Sequence, residues 1–94
     1  MITIMAEVEV EDQAGFITVF STRGQQMREL HGSRRALVHR SEDPHRLVLL
    51  FAWESRERCE AFLADPAVRE TMKASGTTSP PRFTFLERVC ELPA

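Results

Sequence analysis

Few residues in this chain are equipped for chemistry, and their spacing excludes as much as it allows. Trp53, the sole Trp, carries an indole N–H that can donate to a substrate oxygen; equally, it can pack a strand end against a helix. His39 stands in an extended stretch, where a neutral imidazole can take a phenolic proton near pH 7 if its face meets a pocket. Otherwise it is an interface or rim histidine, and the alternation of Ala36 and Val38 against Leu37 and His39 leaves the two faces undistinguished. His31 falls at a helix end and His45 in a turn. Spacings of 8 and 6 between the three histidines do not match metal ligands, so no zinc or iron site is expected. Arg40 and Arg35 can meet a substrate carboxylate or a developing oxyanion, or simply pair with Glu42 and Asp43 at the surface. Glu7 becomes a base only if burial raises its pKa. Cys59 is a small core residue or a pocket thiol, with no base inferable beside it.

Absences narrow the chemistry further. The chain has no Tyr and no Asn, which removes any phenol proton donor and any Asn amide from the mechanism. Cys59 and Cys90 form neither a metal spacing nor a disulfide framework, and reduced thiols in the cytoplasm are the expectation. No basic segment precedes an apolar stretch at the N-terminus, so export is not signalled. The longest apolar run, Leu47–Trp53, is far short of the ~20 residues a membrane span needs. A net charge of −2 offers no footprint for nucleic acid or an anionic membrane. Eleven of the twelve basic residues are Arg, read first as compositional bias.

The elements that must position these residues fit one domain of 94 residues, spanning 1–94. Ile2–Val10 alternates toward its end as a strand with one apolar face. Asp12 is placed to cap a helix over Gln13–Leu30, on which Phe16, Phe20, Met27 and Leu30 form a stripe widened by Ile17. The same stripe can roof a pocket. Gly32 suits the left-handed helix end, and Arg35–Arg40 reads as a second strand. Ser41–His45 reads as a turn, and Leu47–Trp53 as a third strand apolar on both faces. Ser55 can cap a second helix carrying Cys59, Phe62 and Leu63, which restarts at Asp65-Pro66 and runs through Val68 and Met72. Arg82–Leu92 reads as the last strand. The order βαββαβ predicts an α+β, ferredoxin-like fold: a four-stranded antiparallel sheet with helices on one face. The other face, greasy along Leu47–Trp53, calls for a cover, and a second copy of the chain is the cheapest one.

Trp53-Glu54-Ser55 followed by Glu60–Arg69 (EAFLADPAVR), with Gly32 before strand two and the Arg40–Pro44 hairpin, resembles the antibiotic-biosynthesis-monooxygenase group of the dimeric α/β-barrel superfamily. The resemblance implies a homodimer with one pocket per subunit between helices and sheet. It also implies a range of activities: cofactor-independent oxygenases on polyketide phenols, haem-degrading oxygenases, cyclases and isomerases. In related quinone-forming oxygenases a Trp takes part in the site, which bears on Trp53. The haem-degrading branch is disfavoured. Met5-Ala6-Glu7-Val8 resembles its MAEN segment with Val8 in place of the functional Asn, and Phe62 and Met72 fall near its Trp and its haem-ligating His. The same comparison implies that Val8, Phe62 and Met72 line an apolar pocket.

Two readings follow. In one, the chain is a cofactor-independent monooxygenase-like enzyme on an aromatic or polyketide-type small molecule, or a cyclase or isomerase of the same fold. Its pocket is bounded by Val8, Phe20, Phe62 and Met72, with Trp53, His39 and Arg40 in polar contact, and no cofactor or metal is expected. In the other, it is a non-catalytic dimer that binds an apolar ligand.

Overall fold

The computed structural model describes residues 1–94. Alternation in Ile2–Glu9 forms strand β1, with Ile4, Ala6 and Val8 buried on one side. The carboxylate of Asp12 then accepts from the Gly15 N–H at 2.8 Å and starts helix α1 (Gln13–Phe20). Helix α2 (Arg23–Leu30), strand β2 (Ser33–Arg40), strand β3 (Arg46–Trp53), helix α3 (Arg56–Ala64), helix α4 (Pro66–Ala74) and strand β4 (Arg82–Leu86) follow. Ser55 caps α3 by accepting from Arg58 N–H at 3.2 Å. Asp65 caps α4 through Ala67 N–H at 2.9 Å, and Pro66 stands in the first turn, where its missing N–H has no partner to lose.

The strands form one sheet in the order β2-β3-β1-β4, antiparallel throughout. This is the expected ferredoxin-like α+β topology. The registers stack Ala36, Phe51, Ile4 and Phe85 in one row and Val38, Leu49, Ala6 and Phe83 in the next, all on the helix side. Phe16, Cys59, Phe62 and Val68 come down from the helices to complete the core. One strand step away, the open face carries a central row of Leu37, Leu50, Met5 and Thr84. Its neighbouring rows are His39, Val48, Glu7, Arg82 on one side and Arg35, Ala52, Thr3, Leu86 on the other.

Two expected elements differ. The single helix over Gln13–Leu30 is two helices, broken at Ser21-Thr22, where Thr22 takes φ −115° and ψ −96°. Ser21 Oγ donates to the Ile17 carbonyl and Thr22 Oγ1 to the Thr18 carbonyl, both at 2.7 Å, so consecutive hydroxyls compete for the helical ladder. The bend also lifts Leu30 out of the stripe, to 69% exposure. The last strand stops at Leu86, not Leu92, because its ladder on β1 is used up: Leu86 pairs with Thr3, one residue from the start of β1. Glu87–Ala94 is exposed and outside the sheet.

The chain enters β2 through a tight corner. Gly32 has φ +91°, and its carbonyl accepts from the Glu54 N–H at 3.0 Å. A Cβ there would lie 2.9 Å from Glu54 Oε2 and 3.0 Å from the Arg58 guanidinium. That guanidinium holds Glu54 with Nη1 and donates from Nη2 to the Leu30 carbonyl at 2.8 Å. Gly32→Ala should therefore destabilise the fold by about 1–2 kcal/mol from the left-handed backbone alone. Thermal denaturation should show a Tm lower by roughly 4–16 °C. An unchanged Tm would mean the corner relaxes freely.

Candidate functional site

The bend between α1 and α2 arches over the helix side of the sheet and leaves a cavity of about 60 Å³. Its floor is Ala6 and Val8 of β1, Leu49 and Phe51 of β3 and Phe83 of β4. Phe16, Phe20 and Met27 form the roof, and Phe62, Val68 and Met72 the far wall. Thr71 and Ser75 also reach it, but their hydroxyls donate to the Ala67 carbonyl at 2.9 Å and the Met72 carbonyl at 2.5 Å. The space is much smaller than the ~300–1,000 Å³ of sites that enclose drug-sized ligands. A ring system enters only as Met27 and Met72 swing aside; both are half-buried, and thioether side chains adapt readily.

One charged side chain reaches this apolar lining. Arg28, 7% exposed, stacks its guanidinium on the Phe20 ring at 3.7 Å, and Nη1 donates to the Phe20 carbonyl at 3.0 Å. Phe20 in turn stacks on Phe16, with centroids 5.1 Å apart. Room for the reach comes from Gly24, where a Cβ would lie 3.2 Å from Arg28 Nη1. Burial pulls the guanidinium down to about 10, against the opposing charge of Glu29. No carboxylate bonds it: Glu29 is exposed and accepts from Gln25 Nε2 at 2.9 Å. Sequence reasoning missed Arg28 because a charged residue in a helical stripe counts as its polar face. The signal was present in the four-residue steps Phe20, Gly24, Arg28, since long helical side chains lean back toward the N-terminus and a glycine clears the way.

The residues expected at the site separate. Val8, Phe20, Phe62 and Met72 all line the cavity. Trp53 does not: it is 1% exposed, and its Nε1–H donates to the His31 carbonyl at 2.8 Å, so the N–H expected to meet a substrate is already bonded. Its ring lies behind the wall, 4.9 Å from Phe62 and 5.7 Å from Phe51. His39 pairs with Val48 on the open face, on the far side of the sheet from the cavity. Arg40 is exposed at the end of β2, opposite Leu47, and does not reach the cavity either. Burial, and then the charge of Glu60, pushes the Cys59 thiol up to about 11, so it is no nucleophile at neutral pH.

Behind the wall, His31 ties the helices together. Its Nε2 lies 2.9 Å from Asp65 Oδ2, its ring meets Phe62 edge-on at 5.7 Å, and its carbonyl holds Trp53. The His31 bond, then the Ala67 N–H, holds the Asp65 carboxyl below the usual carboxylate range. Glu54 is likewise held down, first by its bond to Arg58.

Topology and cavity together define a small ferredoxin-like α+β protein with an apolar recess between sheet and helices. The chain belongs to the antibiotic biosynthesis monooxygenase family, whose model matches residues 1–74. No curated protein matches it. Among solved structures it is similar to SnoaB, a cofactor-independent oxygenase from Streptomyces nogalater, with TM-score 0.77 and 18% identity over 99% of this chain and 97% of that one. It is similar also to a monooxygenase from the gene ActVA-Orf6 of Streptomyces coelicolor in complex with nanaomycin D (TM-score 0.70, 24% identity, 99% and 92% covered). Rv0793 from Mycobacterium tuberculosis is a third such structure (TM-score 0.68, 18% identity, 96% of each chain). At these identities the likeness establishes the fold. No helix is long and apolar enough to cross a membrane.

The tie behind the wall gives a pH dependence of defined sign. A carboxyl lowered in the folded state stabilises the fold above its unfolded value, and that contribution is lost as pH falls through the folded value. For Asp65 the loss therefore sets in below the ordinary value of 3.8. Asp65→Asn keeps an N-cap of equal quality but loses the charge. Its stability curve, followed by urea unfolding at stepped pH, should fall less steeply below about pH 4 than that of the parent. An equally steep acid limb in both proteins would show that the His31–Asp65 bond contributes no linkage.

Proposed function

We propose that this protein is a cofactor-independent monooxygenase-like homodimer acting on an aromatic or polyketide-type small molecule held between Val8, Phe20, Phe62 and Met72. The observation that carries this reading is the aromatic-walled cavity between helices and sheet, touched by one cation. Family membership supports it, as do neighbours described as a cofactor-independent oxygenase and as a monooxygenase holding nanaomycin D. The chemistry then belongs largely to the substrate. A phenol-activated ring methylene loses a proton, and its electrons reduce dioxygen. One oxygen atom of the dioxygen stays on that carbon as a ketone, and the other leaves as water with the two hydrogens of the methylene. The protein holds the ring, excludes water and stabilises the anion. Trp53 serves as the rigid backing of Phe62 and Phe51, not as a donor, and His39 and Arg40 have no part in the cavity. The proposed setting is the cytoplasm, in keeping with two free thiols, one buried and one exposed.

A non-catalytic reading has one observation in its favour. The cavity lining includes no His, Asp, Glu or Cys to take the substrate proton. Ligand binding without turnover needs none.

Dioxygen uptake with hydroxyanthrone- or naphthol-type phenols and no added cofactor separates the two. Uptake should be seen, and Met72→Trp, which fills the cavity from its far wall, should lower its rate by roughly tenfold or more with the circular dichroism spectrum unchanged. Saturable phenol binding without uptake would replace the oxygenase reading with the binding one.

The dimer is supported by the open face, whose central row of Leu37, Leu50 and Met5 is apolar and flanked by charged positions. Sedimentation at micromolar concentration should give a dimer, and Leu50→Arg, placing like charges opposite one another across a two-fold contact, should give a monomer. A monomeric parent protein would end this part of the reading.

A further inference from the structure

We propose that the ligand of the cavity is an aromatic oxyanion, a ring system bearing a carboxylate or an ionised phenol, and that Arg28 is the residue that receives its charge. This inference rests on the reading of the cavity as the ligand site. Three features of Arg28 carry it. Only 7% of it is exposed, yet no carboxylate in the chain bonds it; Glu29 acts on it through space alone, and a buried charge without a bonded counter-ion is costly. Its guanidinium is pre-oriented, with one face against Phe20 at 3.7 Å and Nη1 fixed on the Phe20 carbonyl at 3.0 Å. The remaining N–H groups hold a fixed fork, the geometry that meets a carboxylate or oxyanion with two parallel bonds.

Its position sets the ligand's shape as well. Arg28 lines the apolar cavity and also a polar surface recess with Gln25, Ser33 and Arg35, so it stands at the boundary between the two. A planar ring lying along Phe20 and Met27 would extend into the cavity while its anionic group stays at that boundary. A neutral hydrocarbon would leave the buried cation unpaired, and an anion without a ring would leave the aromatic walls unfilled.

Isothermal titration of the whole chain with 2-naphthoate and with neutral 2-naphthylmethanol tests this. The naphthoate should bind about tenfold or more tightly than the alcohol, as one charge-assisted pair would give. Arg28→Met should lose that preference, and Arg28→Lys should keep part of it. Met72→Trp should weaken naphthoate binding, because the ring occupies the cavity. Equal or tighter binding of the alcohol to the parent protein would overturn the anion assignment while leaving the cavity a ligand site. Naphthoate binding untouched by Met72→Trp would overturn it too, by placing the ligand elsewhere. Binding of neither compound would overturn this inference and the cavity reading together. A preference undiminished in Arg28→Met would overturn the assignment to Arg28, and if that variant fails to fold, an undiminished preference in Arg28→Lys would do so.

Discussion

A guanidinium pressed on the face of Phe20 is the contact on which the roof of this protein depends. The helical stripe from Gln13 to Leu30 does not stay straight, because Ser21 and Thr22 draw the carbonyls of Ile17 and Thr18 to their own hydroxyls. Arg28 closes the corner that results, binding the Phe20 carbonyl from two turns further along. A cation–π contact of this kind, desolvated, contributes about 2 kcal/mol, and the hydrogen bond about 1.5–3 kcal/mol. These offset the cost of taking the charge out of water without removing it, since Glu29 acts through space and no carboxylate bonds the guanidinium. The corner is stable and its cation unpaired, and both properties follow from one residue.

The sheet beneath imposes the second constraint. Two layers give a sheet only one covered face, and β3 is apolar at every position from Leu47 to Trp53. Leu47, Leu49, Phe51 and Trp53 are taken by the helices, while Val48, Leu50 and Ala52 are left half-buried on the other side. The covered side is then organised by Trp53. Its indole is fixed to the His31 carbonyl at 2.8 Å, and His31 reaches on to Asp65, the cap of α4. Strand end, helix end and helix start are thereby joined behind Phe62, which gives the far wall of the cavity a rigid back. The roof, by contrast, includes the half-buried thioether of Met27 and can adapt there. The cavity has one hard side and one soft side.

Much of this was legible in the residues. Asp12, Ser55 and Asp65 announce helix starts by side-chain chemistry that acts locally, and all three cap as read. The element order led to the topology for another reason: right-handed crossovers leave few alternatives. Val8, Phe62 and Met72, grouped by a family resemblance, stand around one cavity because β1, α3 and α4 converge there. What was hidden is non-local. The face of His39 depends on its register with Val48, and in β2 both faces carry apolar residues, Ala36 and Val38 against Leu37, so parity alone could not decide it. For Trp53 both a substrate donor and a packing role stood open, because the partner of its N–H, a backbone carbonyl 22 positions away, leaves no trace in side-chain type. The end of β4 at Leu86 was set by where β1 begins, not by the still-alternating residues after it.

The cavity's inventory constrains what catalysis there could consist of. With no His, Asp, Glu or Cys in the lining, nothing within it can hold the proton a phenol gives up. A fixed cation at the edge acts differently from a base: it lowers the free energy of the anion without accepting anything. In an apolar enclosure that effect is large, because the effective dielectric is low and the dipoles need no reorganisation. A substrate ionised at the boundary, its proton released outward to water, would carry its charge to Arg28 and its ring into the dry interior. On that arrangement the protein's share of the work is to make the anion persist where water is scarce and dioxygen, being small and apolar, is not excluded. Such a site needs walls, one hard and one yielding, and a single well-placed charge: the tie behind Phe62 supplies the hard wall, and the bend between α1 and α2 the yielding roof and the charge.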